Sequence, residues 1–148
     1  MKKRLAMFIL PFAFLLTGCS ALGDVSESLD YVDEAMGYAD DVNQFAKELP
    51  ALAETAIHDL DAQVQLEELL VEMQDTVEQF NVLESPAMLD DIHNQLLEHN
   101  EALTNNIDLY LEKIEAGTLT ENLLSEIGLM EELSVYDGLM DQLNKLSE

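Results

Sequence analysis

Between Leu89 and Ile114 apolar side chains return every three or four residues, as Leu89, Ile92, Leu96, Leu103, Ile107, Tyr110 or Leu111, and Ile114, with His99 on the same stripe. The interval of 25 residues closes seven turns at about 3.6 residues each, the period of an α-helix. A helix with one apolar face has to bury that face against other elements, so this segment alone demands a packed partner. Ser85-Pro86 predicts its start, with a serine able to cap exposed N–H groups and a proline preset for the first helical position. Gly117 stands where a left-handed C-terminal cap is expected.

The remaining chain carries the same pattern. Val25, Leu29, Val32, Met36, Ala39, Phe45, Ala46 and Leu49 predict a helix over residues 24–49, which Pro50 closes or kinks into Ala51 to His58. The period breaks at His58-Asp59-Leu60-Asp61, where Asp59 or Asp61 is a candidate N-cap. Val64, Leu66, Leu69, Leu70, Met73, Val77 and Phe80 then mark a second long helix. Beyond Gly117, Thr118-Leu119-Thr120-Glu121 fits a capping box, and an ending of two helices broken near Gly128 is equally compatible. Leu129, Leu133, Tyr136, Leu139, Met140, Leu143 and Leu146 form the last amphipathic segment. Short connections favour antiparallel neighbours, so the expected fold is all-α: a small antiparallel bundle of three to five amphipathic helices. An extended coiled coil is the alternative, disfavoured because the residues flanking the apolar stripes are almost all acidic.

The first 19 residues follow a different logic. Lys2, Lys3 and Arg4 precede the apolar run Leu5 to Leu16, twelve residues where a bilayer span needs about 20. The run ends in Leu16-Thr17-Gly18-Cys19, whose small residues leave room for cutting between Gly18 and Cys19, and Cys19 is the sole cysteine of the chain. Here the sequence resembles the bacterial lipoproteins. The resemblance implies a signal peptide at 1–18, a diacylglyceryl group with palmitate-like chains on Cys19, a lipidated N-terminus and short tether at 19–23, and a helical domain at 24–148. Two acyl chains, each contributing about 0.8 kcal/mol per buried CH₂, suffice to hold such a protein stably at the extracytoplasmic face of the cell membrane.

Removing residues 1–18 removes three of the six basic residues, leaving Lys47, Lys113 and Lys145 against 31 acidic residues, a net charge of −28. Nucleic acid is excluded as a partner, since binding it needs a basic footprint. A direct electrostatic hold on anionic lipid is excluded for the same reason. The partners that fit are cations, basic peptides or basic protein surfaces, with the bilayer engaged only through Cys19. Disorder, the other reading of such acidity, conflicts with the frequent and regularly placed Leu, Ile, Val and Met.

Little in the sequence supports catalysis. Cys19 is committed to lipid, and neither a Gly-x-Ser-x-Gly turn nor a phosphate-cradling glycine loop occurs, so neither an enzyme nor a cofactor is expected. Asp90 and His93, three residues apart, share a helix face, as do Glu54 and His58 at a spacing of four. With His99 these are weak metal candidates, because a di-iron bundle needs two Glu-x-x-His pairs and two further carboxylates. The acid pairs Asp40-Asp41, Glu67-Glu68, Asp90-Asp91 and Glu131-Glu132 read as solvated faces able at most to hold divalent cations weakly. Tyr31, Tyr38, Tyr110 and Tyr136 read as edges of the core.

Over most of its length the layout also resembles the small acidic helical lipoproteins of uncharacterised function from spore-forming Gram-positive bacteria. Lys2-Lys3-Arg4 through Cys19, Ser28-Leu29-Asp30-Tyr31-Val32 and Asp91-Ile92-His93 carry the likeness. The functional expectation is therefore a membrane-anchored, non-enzymatic interaction module for a basic envelope partner, with a lipoprotein that binds a metal or small ligand as the alternative.

Overall fold

In a computed structural model, the structure describes residues 20–147, with side chains for residues 29–139, 141–143 and 145. Gly18, Cys19 and the signal peptide lie outside the described residues. Four long helices, α1 (Ser20–Ala56), α2 (Leu60–Asn81), α3 (Asp90–Glu115) and α5 (Leu129–Ser147), and one short turn of helix, α4 (Leu123–Glu126), make up the fold. Each long helix runs antiparallel to its neighbours in the ring α1, α2, α3, α5, with α5 closing against α1. The expected all-α antiparallel bundle is the observed one. Among the described residues the core runs from Tyr31 to Leu143.

The buried positions follow a stricter rule than 3.6. On α3 they are Leu89, just before the helix, then His93, Leu96, Asn100, Leu103, Ile107, Tyr110 and Ile114, steps of four and three in strict alternation. That is a heptad, and α1 repeats it with Tyr31, Ala35, Tyr38, Val42, Phe45 and Leu49. A 3.5-residue repeat keeps each seam facing its neighbours along the whole helix and gives knobs-into-holes packing. Two expectations change as a result. Ile92 and His99, read as face positions at a 3.6 period, are only part-buried, and His93 and Asn100 occupy the core instead. On α2 the seam takes Ala62 and Leu66, which leaves Val64 54% exposed.

The helix ends are set by local chemistry. Asp59, one of the two candidate caps, accepts from the Ala62 N–H at 2.9 Å. Pro50 neither closes α1 nor ends its packing: its ring sits on the exposed side, while Leu49, Ala53 and Ala56 stay buried. The lost hydrogen bond, worth about 3 kcal/mol with the ring clash, is outweighed by the seam. Ser85-Pro86 does not start α3. Leu89 N–H returns to the Pro86 carbonyl at 2.8 Å, a three-residue turn, and the helix begins at Asp90, whose carboxylate accepts from the Ser85 hydroxyl.

Gly117, at φ 65°, ends α3 as expected, with its N–H on Ile114 O and the Thr118 N–H on Lys113 O, both 2.9 Å. The capping box at Thr118 does not form. The segment takes the broken ending instead, α4 and then α5, separated by Gly128 at φ 74°. At the other end α1 already begins at Ser20, so residues 20–23, expected as a short tether, are helical.

Candidate functional site

The buried tyrosines organise the half of the bundle where α1 begins. Tyr31 and Tyr38, one heptad apart on α1, cross the core to His93 and Asn100, one heptad apart on α3. Tyr31 Oη and His93 Nδ1 are hydrogen-bonded at 2.8 Å. Tyr38 and Tyr136 both donate to Asn100 Oδ1, the latter at 2.7 Å, and Asn100 Nδ2 donates to Asn81 Oδ1 at 2.6 Å. Phe80 fills the space between, stacked on Tyr38 at 4.3 Å between ring centroids and a 19° tilt. All four long helices thus meet in one hydrogen-bonded layer, and no buried side-chain N or O among the described residues lacks a partner. Tyr31, Tyr38, Tyr110 and Tyr136 are all buried in the core, where edges were expected.

Burial dominates the electrostatics of this layer. It pushes the Tyr31 phenol up to about 12, helped by the Asp90 carboxylate, and raises Tyr38 and Tyr136 as well; burial does the same to Tyr110 at the other end of the bundle. It lowers His93 below the ordinary 6.5, with Asp90 opposing, so the imidazole is neutral at pH 7.

The metal candidates are not brought together. His93 is taken by Tyr31, and Asp90 by Ser85. Nδ1 of His99 donates to Glu132 at 2.6 Å, the only acid–base side-chain contact of that kind among the described residues. Glu54 and His58 lie toward the opposite end, beside Asp59 and Glu121 on an open hollow. Among the described residues no group of three or more His, Cys, Asp or Glu side chains is placed to hold a metal ion.

A different feature sits directly over the polar layer. Along α1, first against the loop after α2 and then against α2 itself, three hollows of about 320, 350 and 210 Å³ follow one another, the first and second sharing Glu34, the second and third sharing Asp41 and Thr76. From Asp30 to Glu48 this furrow runs roughly 27 Å at 1.5 Å per residue. Its floor is Tyr31, Tyr38, Phe80 and Phe45, and its rim carries Asp30, Glu34, Asp41, Glu48, Glu72 and Glu84, with no basic residue. The sequence reading missed it. The signal was available: Glu34, Asp41 and Glu48 recur at seven residues, flanking the Tyr31, Tyr38, Phe45 seam.

No helix among the described residues is long and apolar enough to cross a membrane. The model of a family described as of unknown function, DUF6376, matches residues 31–146. An uncharacterised lipoprotein, YybP of Bacillus subtilis, is 35% identical over 131 residues, covering 88% of each chain. No solved structure matches.

Proposed function

The chain belongs to the DUF6376 family, of unknown function, and from that premise we propose that it is a lipoprotein of the extracytoplasmic membrane face acting, without catalysis, as a docking module for a basic partner. Lipidation of Cys19 would hold it there, and its likeness to a lipoprotein across 88% of its length supports that reading. One observation carries the binding role: the fold leaves its acidity uncompensated. Beyond residue 18 three lysines stand against 31 acids, and among the described residues the one contact between an acidic and a basic side chain involves a histidine. A rigid surface of one sign steers oppositely charged partners and speeds their encounter, an effect that salt screens.

Two measurements test this. Cys19→Ala should abolish lipidation and leave an uncut precursor, because no second thiol exists to take the lipid. Normal processing of that variant would refute the lipoprotein assignment. Intact protein used as bait in solubilised envelopes should retain basic proteins at low salt and release them at about 0.5 M, where the Debye length falls well below 10 Å. Retention that ignores salt would refute the electrostatic role.

A further inference from the structure

Gly37 lies in the interior of α1, where glycine costs about 1 kcal/mol relative to alanine. The fold gives no reason for it: its backbone is ordinary helix, and a Cβ built there meets nothing within 4 Å. What the missing side chain does leave is space, since Gly37 lines the middle hollow of the furrow beside Tyr38 and Phe80.

Resting on the docking role proposed above, we infer that the α1–α2 furrow is the docking site and that its occupant is a basic amphipathic helix of a partner protein. The floor is aromatic and the rim anionic, which matches an apolar stripe bordered by lysine or arginine. A helix suits the site better than an extended strand. A strand gains affinity by pairing its backbone with a sheet edge, and along α1 and α2 the furrow walls are helices whose backbone groups are already used, whereas a helix satisfies its own and packs side-chain ridges into the groove. The furrow's roughly 27 Å corresponds to about 18 helical residues at 1.5 Å each. An occupant lying there would cover Gly37 at its midpoint.

The test uses the full chain solubilised in detergent and two fluorescent 18-residue peptides of identical Leu and Lys composition, one amphipathic as a helix and one scrambled. Anisotropy at physiological salt should show at least tenfold tighter binding of the amphipathic peptide. Gly37→Gln, which fills the middle hollow, should weaken it at least tenfold, while Gly138→Gln, the same exchange on α5 and also in open space, should leave it unchanged. Both exchanges improve helix propensity, so melting temperatures at or above the parent's are expected. If Gly37→Gln melts lower, the pair Glu34→Gln and Asp41→Asn replaces it, with the same tenfold loss expected. Equal binding of both peptides, or indifference to the furrow variants, overturns the furrow and leaves the general docking role standing. Binding of neither peptide overturns both. Self-association abolished by Gly37→Gln would make a second copy the occupant and overturn the basic helix.

Discussion

The two halves of the bundle core are equally buried and follow the same heptad, yet they are built from different chemistry. Toward the start of α1 the seam holds Tyr31, Tyr38, His93, Asn100 and Tyr136, joined by hydrogen bonds, with the exposed Asn81 amide bonding to Asn100 from the end of α2. Toward the far end it holds Leu49, Leu66, Leu70, Leu103, Ile107 and Ile114. The aliphatic half supplies burial that any nearby register would also supply. The polar half chooses the register. Sliding α1 by one heptad against α3 would set Asn100 opposite Phe45, which has no hydroxyl, or Tyr38 opposite Ile107, which has no acceptor. An orphaned buried polar group costs about 1–3 kcal/mol, so the slipped bundles are excluded even though their apolar contacts would be similar.

The aliphatic half should break most severely. Leu103→Asp puts an unpaired carboxylate where the side chain is fully buried, and should cost more than about 4 kcal/mol and unfold the domain at ambient temperature by circular dichroism. Next comes Asn100→Leu, which orphans the buried Tyr38 and Tyr136 hydroxyls, while the exposed Asn81 turns to water, for a loss of about 2–4 kcal/mol in chemical denaturation. Adding Tyr38→Phe and Tyr136→Phe sharpens the contrast. Most of the stability should return, but with broadened amide spectra from mixed registers; a sharp, single-state spectrum would mean that the polar layer does not select the register.

Smaller effects appear with pH. The lowered pKa of His93, caused by burial against the opposing field of Asp90, means that the unfolded chain takes up a proton first, so stability present above pH 6.5 is lost as pH falls toward the folded value. His93→Gln should remove that share of the acid slope. On the alkaline side the buried phenols keep protons that the unfolded chain releases from about pH 10, so stability falls as pH rises, for Tyr31 until about 12. Tyr31→Phe should flatten part of that limb, read as melting temperature against pH. Smallest of all, Glu98→Gln on the exposed side of α3 should shift stability by less than about 0.5 kcal/mol.

Helix number, order and antiparallel packing were legible because they depend on apolar periodicity and punctuation by Asp59, Gly117 and Gly128. The misreadings share one cause. A 3.6 period and a 3.5 period diverge by only about 20° per heptad, and over one turn Ile92 outranks His93 as a core candidate on hydropathy alone. Tertiary hydrogen bonding reverses that ranking, since Tyr31 gives His93 a partner that lies 62 residues away. Pro50 is a similar case: a local breaker overridden by seam contacts invisible in sequence. The furrow went unread because a groove is a property of two helices, and its acids look on either helix like any solvated face.

The helical start at Ser20 bears on where a partner can come from. With lipid on Cys19, nothing slack separates the anchor from the body. A flexible spacer lets a domain roam over a radius set by the square root of its length, but a helix advances a fixed 1.5 Å per residue. Were Cys19 lipidated as proposed, the body would be confined to a thin layer beside the bilayer, and its search for another membrane-held protein would become two-dimensional. Confinement of that kind raises effective concentration without a single added contact. A moderate intrinsic affinity is then enough for a basic helix displayed at the same membrane, whereas a freely diffusing peptide receives no such advantage.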